Sequence, residues 1–453
     1  WGYCMVFKRK ILNDLLAWKN SPFRKPLIIR GARQVGKTTV IKEFGKSFDT
    51  FYMLNLEIPA HHEYFSKNLS PHEILQKISL DTGIRRNGNT LLFLDEIQQS
   101  SEAIAMLRYF FEDIPELYVV AAGSLLEVMM DRKQISFPVG RVEYLYLYPL
   151  SFQEYLDAVE EADALKLLHT IPLPAWSENK LASLFKTYTL IGGMPEAVNR
   201  YILKKEIESV NEVYRNLFTA YTDDAAKYAK NETEKNVLRF VIEGCPSETG
   251  KRITFEKFAH SNYRSREVGN ALRTLQRAMI LFLRYPVTST EFPTTPDYRK
   301  KPRLEFIDTG MLNYITGIQS SYFDSITLDS LYKGMIAEQI TAQELLSSTT
   351  KELSPPLFWV REENNANAEV DFIIQHKNII IPVEVKSGKT GTLRSLHSLI
   401  DRTSCKIAVR LYSGFFTVEQ TATPNGKEYT LIHLPLFLSS KIKDYVDFVL
   451  QTK

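Results

Sequence analysis

The chain has 453 residues, 44% hydrophobic and 24% charged, which fits roughly two to four globular domains able to bury sizeable cores. A formal net charge of +3 is too small to imply a nucleic-acid or membrane partner by bulk electrostatics, so such a partner has to be read from local patches. Three scattered cysteines, Cys4, Cys245 and Cys405, exclude a disulfide framework and a Cys-x-x-Cys zinc site and predict a reducing, cytoplasmic setting.

No apolar run is long enough to cross a bilayer and no signal peptide is apparent, so no membrane partner is expected. The chain opens WGYCM; Met5 is a candidate native start, with residues 1–4 an added remnant.

The stretch PLIIRGARQVGKTTVIKEF, residues 26–44, reads as strand, glycine-rich loop and helix. It contains the full G-x-x-x-x-G-K-[ST] pattern in the context that pattern needs. Gly31 and Gly36 permit the tight backbone path, and Lys37, Thr38 and Thr39 open the helix. Loop N–H groups and the helix N-terminus form an anion site for the phosphates of ATP. Lys37 is placed to reach the β- and γ-phosphates and Thr38 to ligate Mg²⁺.

Residues 91–96, LLFLDE, predict a buried parallel strand with two carboxylates at its C-terminal end, the edge where open α/β sheets bind ligands. Asp95 is the candidate for the Mg²⁺ shell, and Glu96 for orienting or deprotonating the attacking water. A third strand, LYVVAAGS (117–124), ends at Ser124, which either senses the γ-phosphate or caps a helix. Arg141 lies in FPVGRVEYLYLYPLSFQEYL (137–156). It either stabilises transition-state charge, in cis or from a neighbouring subunit, or packs its stem on the surface.

GARQVGKTT, LLFLDEIQ, AAGSLLE, FPVGRVEYLYLYPLSFQEYL and LIGGMPEAV follow one another in this order. In this the chain resembles, over nearly its whole length, a family of prokaryotic AAA-type P-loop ATPases that carry a C-terminal domain of uncharacterised function. The Walker-type motifs are generic; the arginine-containing block and GGMPEAV make the resemblance specific. It implies that Arg141 is the better candidate for an arginine finger or sensor, acting in cis or, in a homo-oligomer, on a neighbour's nucleotide. It also implies a helical lid after the core, over residues 146–230, which read mostly helical with an interruption at IPLPAW (171–176).

Residues 232–285 predict two helices, then a longer third running into a strand, the outline of a winged helix-turn-helix. Arg266, Arg273 and Arg277 lie on the third helix, and Arg299, Lys300, Lys301 and Arg303 in a downstream loop. These charges either contact DNA, helix in groove and loop on phosphate, or form a solvated face on a packing module.

Near the C-terminus, AEVDFIIQHKNIIIPVEVKSG (368–388) reads as a hairpin interrupted by Asp371, Glu384 and Lys386. With a two-residue turn at Lys377-Asn378, Asp371 faces Glu384 and shares a face with Lys386. Facing carboxylates need a cation between them; hard oxygen ligands with open positions suit Mg²⁺ or Mn²⁺. Asp followed by Glu-x-Lys on adjacent strands resembles the metal site of the restriction-endonuclease-like (PD-(D/E)xK) fold. That fold adds an upstream helical glutamate, here Glu338, and implies that Lys386 orients water or stabilises the transition state. The alternatives are a surface salt-bridge cluster and a nuclease fold that no longer cuts.

The expected fold class is α/β. A P-loop NTPase parallel-sheet core (9–145) is followed by the helical lid (146–230), a winged-helix-like module (231–300) and a C-terminal α/β restriction-endonuclease-like domain (301–453). The expected function is a cytoplasmic Mg²⁺-dependent ATPase coupled to a nuclease-like domain acting on DNA or RNA. The rivals are a nucleotide-gated switch that recruits a partner through its C-terminal domain, and a structural ring component.

Overall fold

The computed structural model describes residues 5–65, 68–123, 140–227, 229–291, 293–321, 334–353, 355–363, 366–388 and 391–452. They divide into two compact units: Trp1–Tyr148 with Thr274–Ile280 and Thr349–Leu353, and Pro149–Arg273 with Leu281–Ser348 and Ser354–Lys453.

The first unit holds a five-stranded sheet of β1 (Leu27–Arg30), β2 (Thr50–Asn55), β3 (Thr90–Asp95), β4 (Tyr118–Gly123) and β5 (Glu143–Tyr146) in the order β2-β3-β4-β1-β5. Every pair is parallel. The inner strands of such a sheet are covered on both faces, which is why they read as nearly unbroken apolar runs; all of β1 and β3 is buried, while the edge strands β2 and β5 are only partly so. The chain leaves β1 for the far edge, returns through β3 and β4, then passes β1 to reach β5. This reversal opens a crevice at the C-terminal ends of the strands beside β1.

Helix α1 (Ile11–Lys19) precedes β1, and α2 (Lys37–Gly45) leaves the glycine loop. Helix α3 (Pro71–Thr82) starts at a Ser70/Glu73 capping box with Pro71 at its first position, and α4 (Ser101–Asp113) is capped by the Ser100 hydroxyl accepting from Ala103 N. Ile74, Leu75, Ile78, Ile104, Leu107 and Phe110 from α3 and α4 pack with Leu92, Leu94 and Ala121 of the sheet in one core.

The second unit begins with helices α5 (Phe152–Ala158), α6 (Ala162–Leu168), α7 (Glu178–Ile191), α8 (Pro195–Lys204) and α9 (Asn211–Lys227). Helices α10 (Glu232–Glu248) and α11 (Ser265–Arg277) follow, then β6 (Leu281–Arg284), which pairs antiparallel with β8 (Arg303–Phe306). Strand β7 (Pro286–Val287) joins a second sheet, after which come α12 (Thr309–Ile315) and α13 (Gly334–Ser347).

The remaining strands of that sheet are β9 (Leu357–Glu363), β10 (Ala366–His376), β11 (Ile379–Val385), β12 (Ile407–Tyr412), β13 (Thr417–Ala422) and β14 (Glu428–Pro435). Their order is β13-β14-β12-β11-β10-β9-β7. Helix α14 (Arg394–Arg402) closes one face, with Leu396, Leu399 and Ile400 packed on Val370, Ile373 and Ile380. The β10–β11 hairpin pairs Phe372 with Val383 and His376 with Ile379. This is the register expected from a turn at Lys377-Asn378, with Lys377 at φ +53°.

Candidate functional site: a phosphate cradle and a carboxylate cluster

The glycine loop between β1 and α2 is built for close backbone approach. Gly36 sits at φ +96°, a conformation open to glycine. A Cβ on Gly31 would lie 2.4 Å from the Leu147 carbonyl oxygen. Arg9 braces the loop from outside the motif: its guanidinium donates to the Val35 carbonyl at 2.9 Å and the Tyr148 carbonyl at 2.6 Å. Lys37 is buried, and its Nζ donates to the Gly31 and Ala32 carbonyls at 2.9 and 2.8 Å. Burial lowers its pKa to about 8, against the opposing pull of Glu96 and Asp95.

The loop meets the acidic pair directly. Thr38 Oγ1 donates to Asp95 Oδ2 at 2.8 Å, so the hydroxyl and carboxylate proposed for Mg²⁺ already face each other. Burial raises the Asp95 pKa, the Thr38 bond opposing it. Glu96 lies one residue past β3 in a left-handed turn, φ +51°, which turns its carboxylate toward Gln98, whose Nε2 donates to Glu96 Oε2. Gln98 is buried with its own Oε1 unpartnered. Neither Arg9 nor Gln98 stands out in the sequence; only the position of Gln98 two residues after the acidic pair offers a signal.

A tight glycine loop, a buried ammonium and a paired hydroxyl and carboxylate together fit a nucleotide with its Mg²⁺. Thr39 lies in the first turn of α2. Ser124 lies outside the described residues. Arg141 is about half exposed and is brought to Glu112, 3.1 Å away, and to the Phe111 ring rather than to a P-loop side chain.

The second constellation lies in the second unit. The paired register ends at Phe372 and Val383, next to Asp371 on one strand and Glu384 on the other, and Lys386 Nζ donates to Glu384 Oε1 at 2.7 Å. Asp371 Oδ2 accepts from Val385 N at 2.8 Å. Glu338 projects from α13 into the same cluster, and burial together with Asp371 raises the pKa of both Glu338 and Glu384.

The cation at the centre of the cluster is Arg303. Its guanidinium binds Glu338 and Glu369, and its Nη1 lies 3.4 Å from Asp371 Oδ1. Among the described residues no group of three His, Cys, Asp or Glu side chains is arranged to hold a metal ion. As folded, the donors expected for Mg²⁺ or Mn²⁺ do not fit one.

Of the four charges in the basic loop, three have carboxylate partners and Lys301 is exposed. Arg303 points into the cluster, Lys300 pairs with Glu362, and Arg299 pairs with Asp297 at 3.0 Å. Arg284 and Glu305 add a wholly buried pair beside the cluster, 2.7 Å apart, with Arg284 Nη1 donating to the Asp371 carbonyl at 2.9 Å.

No helix among the described residues is long and apolar enough to cross a membrane. Residues 23–156 match the family described as AAA domain. Residues 182–322 and 333–437 match families described as Domain of unknown function (DUF8612) and Domain of unknown function (DUF4143). No curated protein matches the sequence.

Solved structures of similar arrangement include a Walker-type ATPase of Pyrococcus abyssi, at 13% identity and a TM-score of 0.44, covering 69% of this chain and 96% of that one. The Aeropyrum pernix Orc1 protein in complex with DNA is 14% identical with a TM-score of 0.29, covering 70% and 94%. AMPPCP-bound DnaA from Aquifex aeolicus is 12% identical with a TM-score of 0.25, covering 59% and 86%. At such distances these likenesses assign no residue or partner here. Residues 23–156, which carry the glycine loop and the acidic pair, are thus similar to the AAA domain family, and the two regions after them match families whose function is unknown.

Proposed function

We propose that the P-loop domain binds ATP with Mg²⁺ and hydrolyses it, and that its nucleotide state governs what the rest of the chain engages. The observation that carries this is the 2.8 Å contact of Thr38 with Asp95, made beside a buried Lys37 ammonium. Thr38 and Asp95 are the residues that would hold Mg²⁺, which supplies positive charge to the phosphate oxygens. The loop N–H groups and the N-terminus of α2 bind the phosphates. Lys37 exchanges its carbonyl contacts for phosphate oxygens. Glu96 takes the proton of the attacking water, with Gln98 fixing the direction of its carboxylate.

Arg141, half exposed, is the candidate for stabilising transition-state charge, including from a neighbouring copy in a homo-oligomer. The helices over 152–227 serve as the lid. The region over 301–453 is read as a nuclease-like domain that engages DNA or RNA in the cytoplasm, with exposed Arg266 and Arg273 of α11, in the preceding winged-helix-like module, as phosphate contacts.

The hydrogen bond from Gln98 to Glu96 also favours a slow-turnover switch, because it occupies a lone pair of the carboxylate that must accept a proton. Two variants separate the readings. Glu96→Gln is expected to keep ATP binding and lose at least about 10²-fold in turnover, and Lys37→Ala to lose nucleotide affinity itself. Turnover unchanged in Glu96→Gln removes Glu96 as the base, and wild-type ATP binding with negligible turnover leaves the switch.

A further inference from the structure

The restriction-endonuclease resemblance calls for a divalent cation among Glu338, Asp371 and Glu384, yet the structure places a side-chain cation there. Arg303 enters from β8, and its single guanidinium is shared by Glu338 of α13 and by Glu369 and Asp371 of β10. Its side chain is only 10% exposed, and the Phe358 ring lies 5.2 Å from its Cζ. A planar fork with five fixed donors can bind several carboxylates at once, and arginine cannot leave by losing its proton. Glu384, the remaining carboxylate, accepts from Lys386 at 2.7 Å through Oε1, while its Oε2 is buried without a hydrogen-bond partner.

From this geometry we infer that Arg303 is the resident cation of the carboxylate cluster and that it excludes divalent metal from it. Two observations make the arrangement a built one. Arg284 stands behind it with a fully buried side chain, fixed by Glu305 and by the Asp371 carbonyl, so the backbone that carries Asp371 is itself held. Asp371 also accepts from Val385 N at 2.8 Å, which directs one of its oxygens into the backbone and leaves the other on Arg303.

A divalent ion placed among these carboxylates would sit beside a guanidinium, and the like-charge repulsion in a poorly solvated site is large. Metal and Arg303 therefore exclude each other. While Arg303 is in place the domain holds its strands together by ion pairs and has no metal with which to activate water. The inference stands on the cluster alone and does not depend on the nucleotide reading.

The test is a Mn²⁺ titration of the full, nucleotide-free chain, followed by the electron paramagnetic resonance signal of the unbound ion. Wild type and Asp371→Asn are expected to take up Mn²⁺ identically. Arg303→Gln is expected to gain one further Mn²⁺, bound at least tenfold tighter than any in wild type. Adding Asp371→Asn to Arg303→Gln should abolish that gain.

Arg303→Gln leaves the acids unbalanced, so the double variant Arg303→Gln/Glu369→Gln, which removes one charge of each sign, is titrated alongside and should show the same gain. Wild type binding one Mn²⁺ more than Asp371→Asn overturns the inference. So does a failure of the double variant, folded by circular dichroism, to exceed wild type.

Discussion

Glu344 shows how one buried side chain ties stability to pH. It lies on α13 with no exposure, and its Oε1 accepts from Phe152 N and from the Tyr188 hydroxyl, both at 2.8 Å. Burial pushes its pKa to about 7, the two hydrogen bonds opposing the shift. The unfolded chain therefore sheds this proton near 4.5 while the folded chain keeps it until about 7. Its contribution is fully present below the lower value and is lost as pH rises through that window, by about 3 kcal/mol at most. Glu344→Gln keeps an acceptor without the titration. Urea melts at pH 4.5 and pH 8 are expected to show wild type losing stability relative to the variant at the higher pH; an equal difference at both pH values refutes the assignment.

Gly31 is a residue of a different kind, constrained by space alone. Its Cβ would meet the Leu147 carbonyl at 2.4 Å, a backbone atom with no freedom to swing aside. Gly31→Ala is expected to cost about 1–3 kcal/mol and to weaken ATP binding, read by melting and by nucleotide titration together.

At the scale of elements, the GGMPEAV block is a packing device. Gly192 ends α7 at φ +75°, and a Cβ there would lie 2.2 Å from Asp308 Oδ1 and 2.4 Å from the Tyr214 hydroxyl. Gly193 N donates to Asp308 Oδ2 at 2.6 Å, while Asp308 also caps α12 by accepting from Met311 N. One buried carboxylate thus joins the end of α7 to the start of α12. Gly192→Ala combines a left-handed backbone with a clash and is expected to destabilise the chain by about 3 kcal/mol or more, seen as a lower urea midpoint with unchanged slope.

Elements whose signal is local were legible in the sequence. The strand-loop-helix at 27–45 announces itself by glycine spacing, the covered parallel strand β3 by its apolar run, and the hairpin register by a period of two and a short turn. What could not be read was the partner supplied from afar. Arg303 reaches Asp371 across 68 residues of chain, and Arg9 reaches Val35 across 26. Neither arginine carries a local pattern that distinguishes it from a surface charge.

For the molecule as a whole, long-range pairing changes which charges remain for a partner. The basic run 299–303 looks like a phosphate grip when counted along the chain, but Lys300 and Arg252 share Glu362, Arg299 holds Asp297, and Arg303 is committed to the carboxylate cluster. With a net charge of only +3, the proposed nucleic-acid binding requires side chains that keep their charge facing solvent. Arg266 and Arg273 are exposed on α11, and Arg273 donates to the neutral Asn270 amide oxygen rather than to a carboxylate.

Removing one cation from a duplex phosphate lowers the slope of log K against log salt by about 0.9. Arg266→Ala/Arg273→Ala is therefore expected to weaken duplex binding and flatten the slope by nearly two units, whereas Lys300→Ala leaves the slope unchanged. Fluorescence anisotropy on one duplex at several salt concentrations reads both variants. A slope altered by Lys300→Ala and untouched by the helix pair would move the proposed interface from α11 to the loop, and no binding of the duplex by wild type would remove it.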